Sequence, residues 1–157
     1  MRGRVARMWA TATALCLAAG LAGCSRGEES GLKTAQISIN GTTLRVELAR
    51  TETERCRGLQ ERKTLPEESG MLFIFEQPQA LRFWMDKTLV PLSIGFADGQ
   101  GVIRQIEDME PMTRTTHNSA EGMMYALEVN RGWFAKHGIK VGDRMDLSQV
   151  QGKAKVQ

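Results

Sequence analysis

Apolar and polar residues alternate with period two across residues 36–39 (QISI) and 44–48 (LRVEL), the spacing of half-buried strands. Asn40-Gly41 lies between them, and both residue types tolerate the positive φ of a two-residue turn, so a hairpin is expected. Thr51-Glu52-Thr53-Glu54 places a hydroxyl three residues before a carboxylate, a capping box that predicts a helix running to about residue 62 and stopping before Pro66. Gly58 falls inside that helix at a cost of about 1 kcal/mol relative to alanine, which predicts a close approach of another backbone. The apolar run 71–75 (MLFIF) is short and bounded by breakers, as a buried strand should be. Gln77-Pro78-Gln79 interrupts it before a second strand over 81–85 (LRFWM). Strands over 93–97 and 102–106 flank a turn at Asp98-Gly99-Gln100-Gly101. Residues 109–122 lack periodicity and contain Pro111, which predicts a long loop that covers or binds something. A strand over 124–129 follows, then a short helix capped by Asn130, running through Lys136-His137 and closed by Gly138, and a last strand over 145–147. No internal repeat is visible. The expected fold is α+β and β-dominated: an antiparallel sheet curled into a barrel or sandwich, with two short helices and no alternating βαβ units.

The first residues obey a different grammar. Arg2, Arg4 and Arg7 precede an uncharged run over 8–23, short of the about 20 apolar residues that span a bilayer. A charged start, an apolar stretch and small residues before a break read as a secretory signal. The break, Leu21-Ala22-Gly23-Cys24, matches the lipobox of bacterial lipoproteins, in which the cysteine thiol is alkylated by a diacylglyceryl group and becomes the first mature residue. The expected organisation is a lipoprotein signal peptide over 1–23, lipidated Cys24 with a flexible tether over 24–33, one domain over 34–150, and a frayed tail over 151–157. Several acyl chains on one residue anchor a protein stably where one would not. Ser25 in place of Asp after the cysteine points to the outer membrane, facing the periplasm.

That processing removes the apparent basicity. The full chain has 21 Lys+Arg against 18 Asp+Glu, and the three charges of the signal are all arginines, so the remainder is balanced. A basic face for nucleic acid is therefore not expected. Cys16 would leave with the signal and Cys24 would carry lipid, so Cys56 would stand alone and no intramolecular disulfide could form. Stability has to come from a core, for which about 120 residues suffice.

Candidate chemistry concentrates in residues 70–92 (GMLFIFEQPQALRFWMDKTLVPL), where aromatic and Met side chains abut the polar Asp86, Lys87 and Thr88 and a stiff Val90-Pro91. Aromatic core is the ordinary fate of such residues. A pocket rim is the alternative, with Arg57, Met71, Trp84, Met85, Thr88 and Glu128 as the candidate ligand-binding set. Glu128 alternates with Leu127 and Val129, which predicts an exposed strand position. Arg55, Arg57 and Arg62 form a solvated face, or one turns inward to a carboxylate or an anionic ligand. Carboxylate catalysis by Glu47, Asp86 and Glu128 is a second possibility, since carboxylate pairing is spatial. Met109, Met112 and His117 offer soft thioethers and an imidazole suited to Cu(I), without a second nearby His. Cys56 lacks a recognisable His partner and is expected to be a partly buried, passive thiol. No phosphate-binding glycine motif is present, and no cofactor is expected.

Five blocks, in order, resemble the DUF192 (UPF0127) family of small bacterial and archaeal proteins: Glu54-Arg55 with Arg57-Gly58-Leu59; Gly70 through Phe75; Phe83-Trp84-Met85-Asp86-Lys87-Thr88 with Pro91-Leu92; Ala126 through Asn130; and Gly138 through Asp143. The resemblance covers about residues 34–147 and implies a β-rich α+β domain without an established activity. The chain departs from the family pattern at Gln60, usually Met, at Asp86-Lys87, usually Lys-Asn, and at Ser93, usually Asp. A binding role tolerates such changes better than a catalytic one. The combined expectation is a lipid-anchored envelope accessory protein with a cleft around residues 83–88 for a small polar ligand or a partner's peptide.

Overall fold

Asn40 (φ 50°) and Gly41 (φ 82°) form the expected turn between strands β1 (Thr34–Ile39) and β2 (Thr42–Ala49) in the computed structural model, which describes residues 31–151. The expected signal, the lipidation site, the start of the tether and the tail from Gly152 lie outside the described residues. β3 (Ser69–Gln79), β5 (Leu92–Asp98), β6 (Ile103–Met109), β8 (Met123–Asn130) and β9 (Met145–Asp146) complete a seven-stranded sheet ordered β6-β5-β8-β3-β2-β1-β9. It is strongly curled, a half-barrel. Its outer strands approach at one end, where Val102 bridges Arg144 and Ile103 donates to the Asp143 carbonyl. The β-dominated α+β expectation holds.

Several details differ from expectation. The pair β2–β3 is parallel, so one crossover replaces a hairpin. That crossover carries helix α1 (Glu52–Arg57), which has the expected capping box: Thr51 Oγ1 accepts from the Glu54 amide while Glu54 Oε2 accepts from the Thr51 amide. α1 stops at Gly58 instead of continuing toward residue 62. Gly58 adopts φ 48°, costly for any side chain, and lies against the Phe73 ring, its only backbone neighbour among the nearest atoms being the Arg55 carbonyl of its own helix. The expected strand over 81–85 shrinks to β4 (Arg82–Phe83), which pairs with β7 (His117–Asn118) inside the expected loop. There are three short helices among the described residues: α1, α2 (Trp133–Lys136) and α3 (Ser148–Gln151). Asn130 does not cap α2; its Nδ2 donates to the Leu65 and Pro66 carbonyls, and Gly132 (φ 77°) occupies the N-cap.

The curled sheet is buried on both faces. One cluster gathers Ile37, Leu44, Leu72, Leu127, Trp133 and Phe134 beneath α2 and α3. The other gathers Leu59, Met71, Phe73, Leu81, Met85 and Phe96 beneath α1 and the 80–90 segment. Apolar residues thus occupy both faces of β8 and β3, as expected of strands covered on both sides. The expected site residues lie in or beside the second layer.

Candidate functional site

Between the end of α1, the middle of β3, β4 and the 84–88 segment the second layer does not close. A cavity of about 310 Å³ remains, lined by Arg57, Trp84, Thr88 and Glu128 among others. Four of the six expected site residues therefore meet, although Arg57 and Glu128 lie far apart in the sequence. Met71 and Met85 do not join them. Both are fully buried packing residues, because their side chains fill the layer beside the cavity.

β8 lies between β3 and β5, and Glu128 faces Met71 on one side and Ile94 on the other. The expected exposed position is corrected: Glu128 is 5% exposed, because β8 is covered on both faces. Its side chain has no hydrogen bond or ion pair among the described residues, yet its oxygens still reach the cavity. Burial alone raises its pKa to about 8, since a carboxylate without a partner is costly away from water. Near neutrality Glu128 is a carboxylic acid, able to donate or accept at the cavity wall.

The walls are aromatic. Phe73 and Phe83 meet edge to face with ring centroids 4.9 Å apart, and Phe83 meets Phe96 at 5.8 Å. Trp84 is half exposed at the rim, at 50%. Phe75 lies under the Arg55 guanidinium, 4.7 Å from the ring centroid, while Arg55 Nη1 also donates to the Arg50 and Ile74 carbonyls. Arg57 and Arg82 line the cavity as exposed residues, and neither guanidinium is paired among the described residues. The inward-turned arginine is Arg62, which grips Glu47 with two hydrogen bonds of 2.5 and 2.7 Å.

Left-handed backbone collects next to the lining residues Gln60 and Thr88, although none of it lines the cavity itself. Glu61 (φ 63°), Lys87 (φ 57°) and Met112 (φ 59°) are three of four non-glycine residues in the left-handed region among the described residues. The Glu61 amide donates to the Lys87 carbonyl at 2.8 Å, the Met112 amide to the Thr88 carbonyl at 3.0 Å, and the Met85 amide to the Thr113 carbonyl at 3.1 Å. The 109–122 segment therefore packs against the 85–88 segment, but none of its residues lines the cavity. Strain held by surrounding structure is commonest at functional sites.

The competing chemistries are less well served. Of Glu47, Asp86 and Glu128, Glu128 is the one that lines the cavity; Glu47 is engaged by Arg62, and Asp86 faces Arg114 at 3.3 Å. Met109 is buried in the core, Met112 is 60% exposed, and His117 Nδ1 is bonded to Glu107 at 2.8 Å, so the three do not share one open site. Cys56 is exposed at the cavity edge, not partly buried. Ser93 is buried away from the cavity, where its hydroxyl donates to Asp108 and accepts from the Gly132 amide at 2.9 Å, fixing the start of α2. Arg82 and Glu52, which the sequence did not single out, also line the cavity, as do Phe73, Phe75 and Phe83, members of the aromatic cluster noted over residues 70–92 but not placed in the candidate set. The aromatic spacing around residue 78 was their available signal. Among the described residues no helix is long and apolar enough to cross a membrane, and no cluster of His, Cys, Asp and Glu suits a metal ion.

The family profile of DUF192, described as an uncharacterized ACR, matches residues 35–147. A structure from Sinorhizobium meliloti 1021 described as a candidate transcription regulator superposes with a TM-score of 0.72 at 32% identity, covering 75% of this chain and 96% of that one. A protein of unknown function from Novosphingobium aromaticivorans DSM 12444 gives 0.71 at 35% identity, over 74% and 87% of the two chains. No curated protein matches. The matched region holds every strand of the curled sheet except part of its first, and all five sequence blocks; the chain belongs to the DUF192 family.

Proposed function

We propose that the protein is a lipid-anchored accessory of the bacterial envelope, tethered through Cys24 to the outer membrane and facing the periplasm, that binds a small polar ligand or a partner's peptide in the cavity above Glu128. The observation that carries this reading is the meeting of Arg57, Trp84, Thr88 and Glu128 around about 310 Å³ of open volume, within the size range of small-molecule sites. A buried acid left without an internal partner is expensive in a merely structural role. The half-exposed Trp84 at the cavity, with left-handed backbone beside it, supports a surface kept for contact.

Two experiments test the two halves. Cys24→Ser should move the protein from the membrane fraction to the soluble fraction, and continued membrane retention contradicts the anchor. Trp84→Ala removes a half-exposed ring and should leave the fold intact by circular dichroism and thermal melting. It should nevertheless fail to restore the phenotype of a deletion strain. Full complementation by a well-folded Trp84→Ala protein sinks the binding reading.

A further inference from the structure

Charge is ordered from the mouth of the cavity to its depth. Arg57 and Arg82 stand exposed at the mouth with unpaired guanidinium groups among the described residues, alongside the exposed carboxylate of Glu52. Phe73, Phe83 and Trp84 form the walls, and Thr88 and Glu128 are the buried polar groups. The Thr88 hydroxyl has only a long contact, 3.5 Å to the Asp86 carbonyl, so it too retains hydrogen-bonding capacity.

Deepening the binding role above and resting on it, we infer that the cavity takes a small primary amine that also carries a carboxylate, an amino acid or a similar zwitterion. Its ammonium lies against Glu128 and its carboxylate against Arg57 and Arg82. An ammonium brings three donors to an acid that has no partner, and the negative faces of the aromatic walls attract a cation. Guanidinium groups hold a carboxylate through paired hydrogen bonds. A ligand with only an anionic group could accept the Glu128 proton in a hydrogen bond, but it would place negative charge against the negative faces of the ring walls. A ligand with only a cationic group would meet Arg57 and Arg82 at the mouth, where Glu52 is the single carboxylate among the lining residues there. The volume of about 310 Å³ admits an amino acid with a modest side chain.

Proton linkage follows from the same arrangement. Glu128 starts neutral, so an ammonium ligand must send its proton to solvent on binding. The charged groups around the cavity are Glu52, Arg55 and Arg57 of α1 and Arg82 of β4, while the neighbours on β3 and β5 are the uncharged Met71 and Ile94. Affinity should rise by up to about tenfold per pH unit below the titration of Glu128 and level off above it.

Calorimetric titration of the full chain with three ligands of one carbon skeleton tests this: leucine, 3-methylbutylamine, which lacks the carboxylate, and 4-methylpentanoate, which lacks the amine. Leucine should bind most tightly, each half-ligand about tenfold or more weakly, with affinity rising from pH 6 to pH 8 and a proton released to buffer. Glu128→Gln should lose leucine binding and its pH dependence. Arg57→Ala should weaken leucine and not 3-methylbutylamine, which keeps the test open should Glu128→Gln fail to fold. If 4-methylpentanoate binds as tightly as leucine, or affinity climbs as pH falls, the inference is overturned while the cavity remains a binding site. Absence of binding by both amines at millimolar concentration overturns it as well, and the broader role then stands or falls on the Trp84→Ala complementation.

Discussion

Glu128 is the residue on which the account turns, and its cost should be measurable. Its pKa is raised from 4.5 to about 8 in the folded state, so between those values the unfolded chain binds fewer protons than the folded one. The sign follows: stability is fully present below about pH 4.5 and is lost progressively as pH rises to about 8, at up to about 1.4 kcal/mol per pH unit. Glu128→Gln removes this dependence, and urea unfolding at pH 5 and pH 8 should show the variant gaining on the parent at the higher pH. An equal pH slope in both proteins contradicts the assignment. A neighbouring glycine guards the same strand pair. A Cβ at Gly70 would lie 2.5 Å from the Glu128 carbonyl oxygen and 3.0 Å from Val129. Gly70→Ala should therefore cost about 3 kcal/mol or more in chemical denaturation, since backbone must move to admit it. Neither effect was legible from residue spacing. Alternation made Glu128 an outward residue, and what overrides alternation is a second covering layer, a property of long-range pairing. The unbroken apolar company of Glu128 in Ala126-Leu127-Glu128-Val129 was the local hint of a strand covered on both faces.

At the scale of elements, local chemistry was readable and extent was not. The Asn40-Gly41 hairpin and the Thr51/Glu54 box appear as expected because turn and cap preferences act over a few residues. α1 ended early because Gly58 could take a left-handed φ and bring Leu59 into the core against Phe73, a tertiary gain that outweighs further helical turns. Thr51→Ala should lower stability by about 1 kcal/mol in thermal or urea unfolding, with no effect on ligand binding beyond it. The Arg62–Glu47 pair ties the segment after α1 to β2, and both side chains are about four-fifths buried. Arg62→Ala should cost on the order of 2 kcal/mol, between the values for exposed and buried pairs. An effect under half that size would mean water already screens the pair. β4 and β7 were out of reach of pattern reading, because two-residue strands carry no period.

For the whole molecule, family blocks and strand pattern together made the β-dominated fold legible, while the parallel β2–β3 crossover was hidden by a helix too short to announce one. That crossover matters for the proposed site. It lays α1 across the second layer and so brings Arg57 to the mouth of a cavity whose buried acid comes from β8. The most direct test of the central claim, that this cavity is the binding site, is native mass spectrometry of the protein isolated gently from its own envelope. The parent should carry a small molecule or peptide that both Trp84→Ala and Glu128→Gln lose while remaining folded. A ligand retained equally by both folded variants, or none carried by the parent, would contradict the claim.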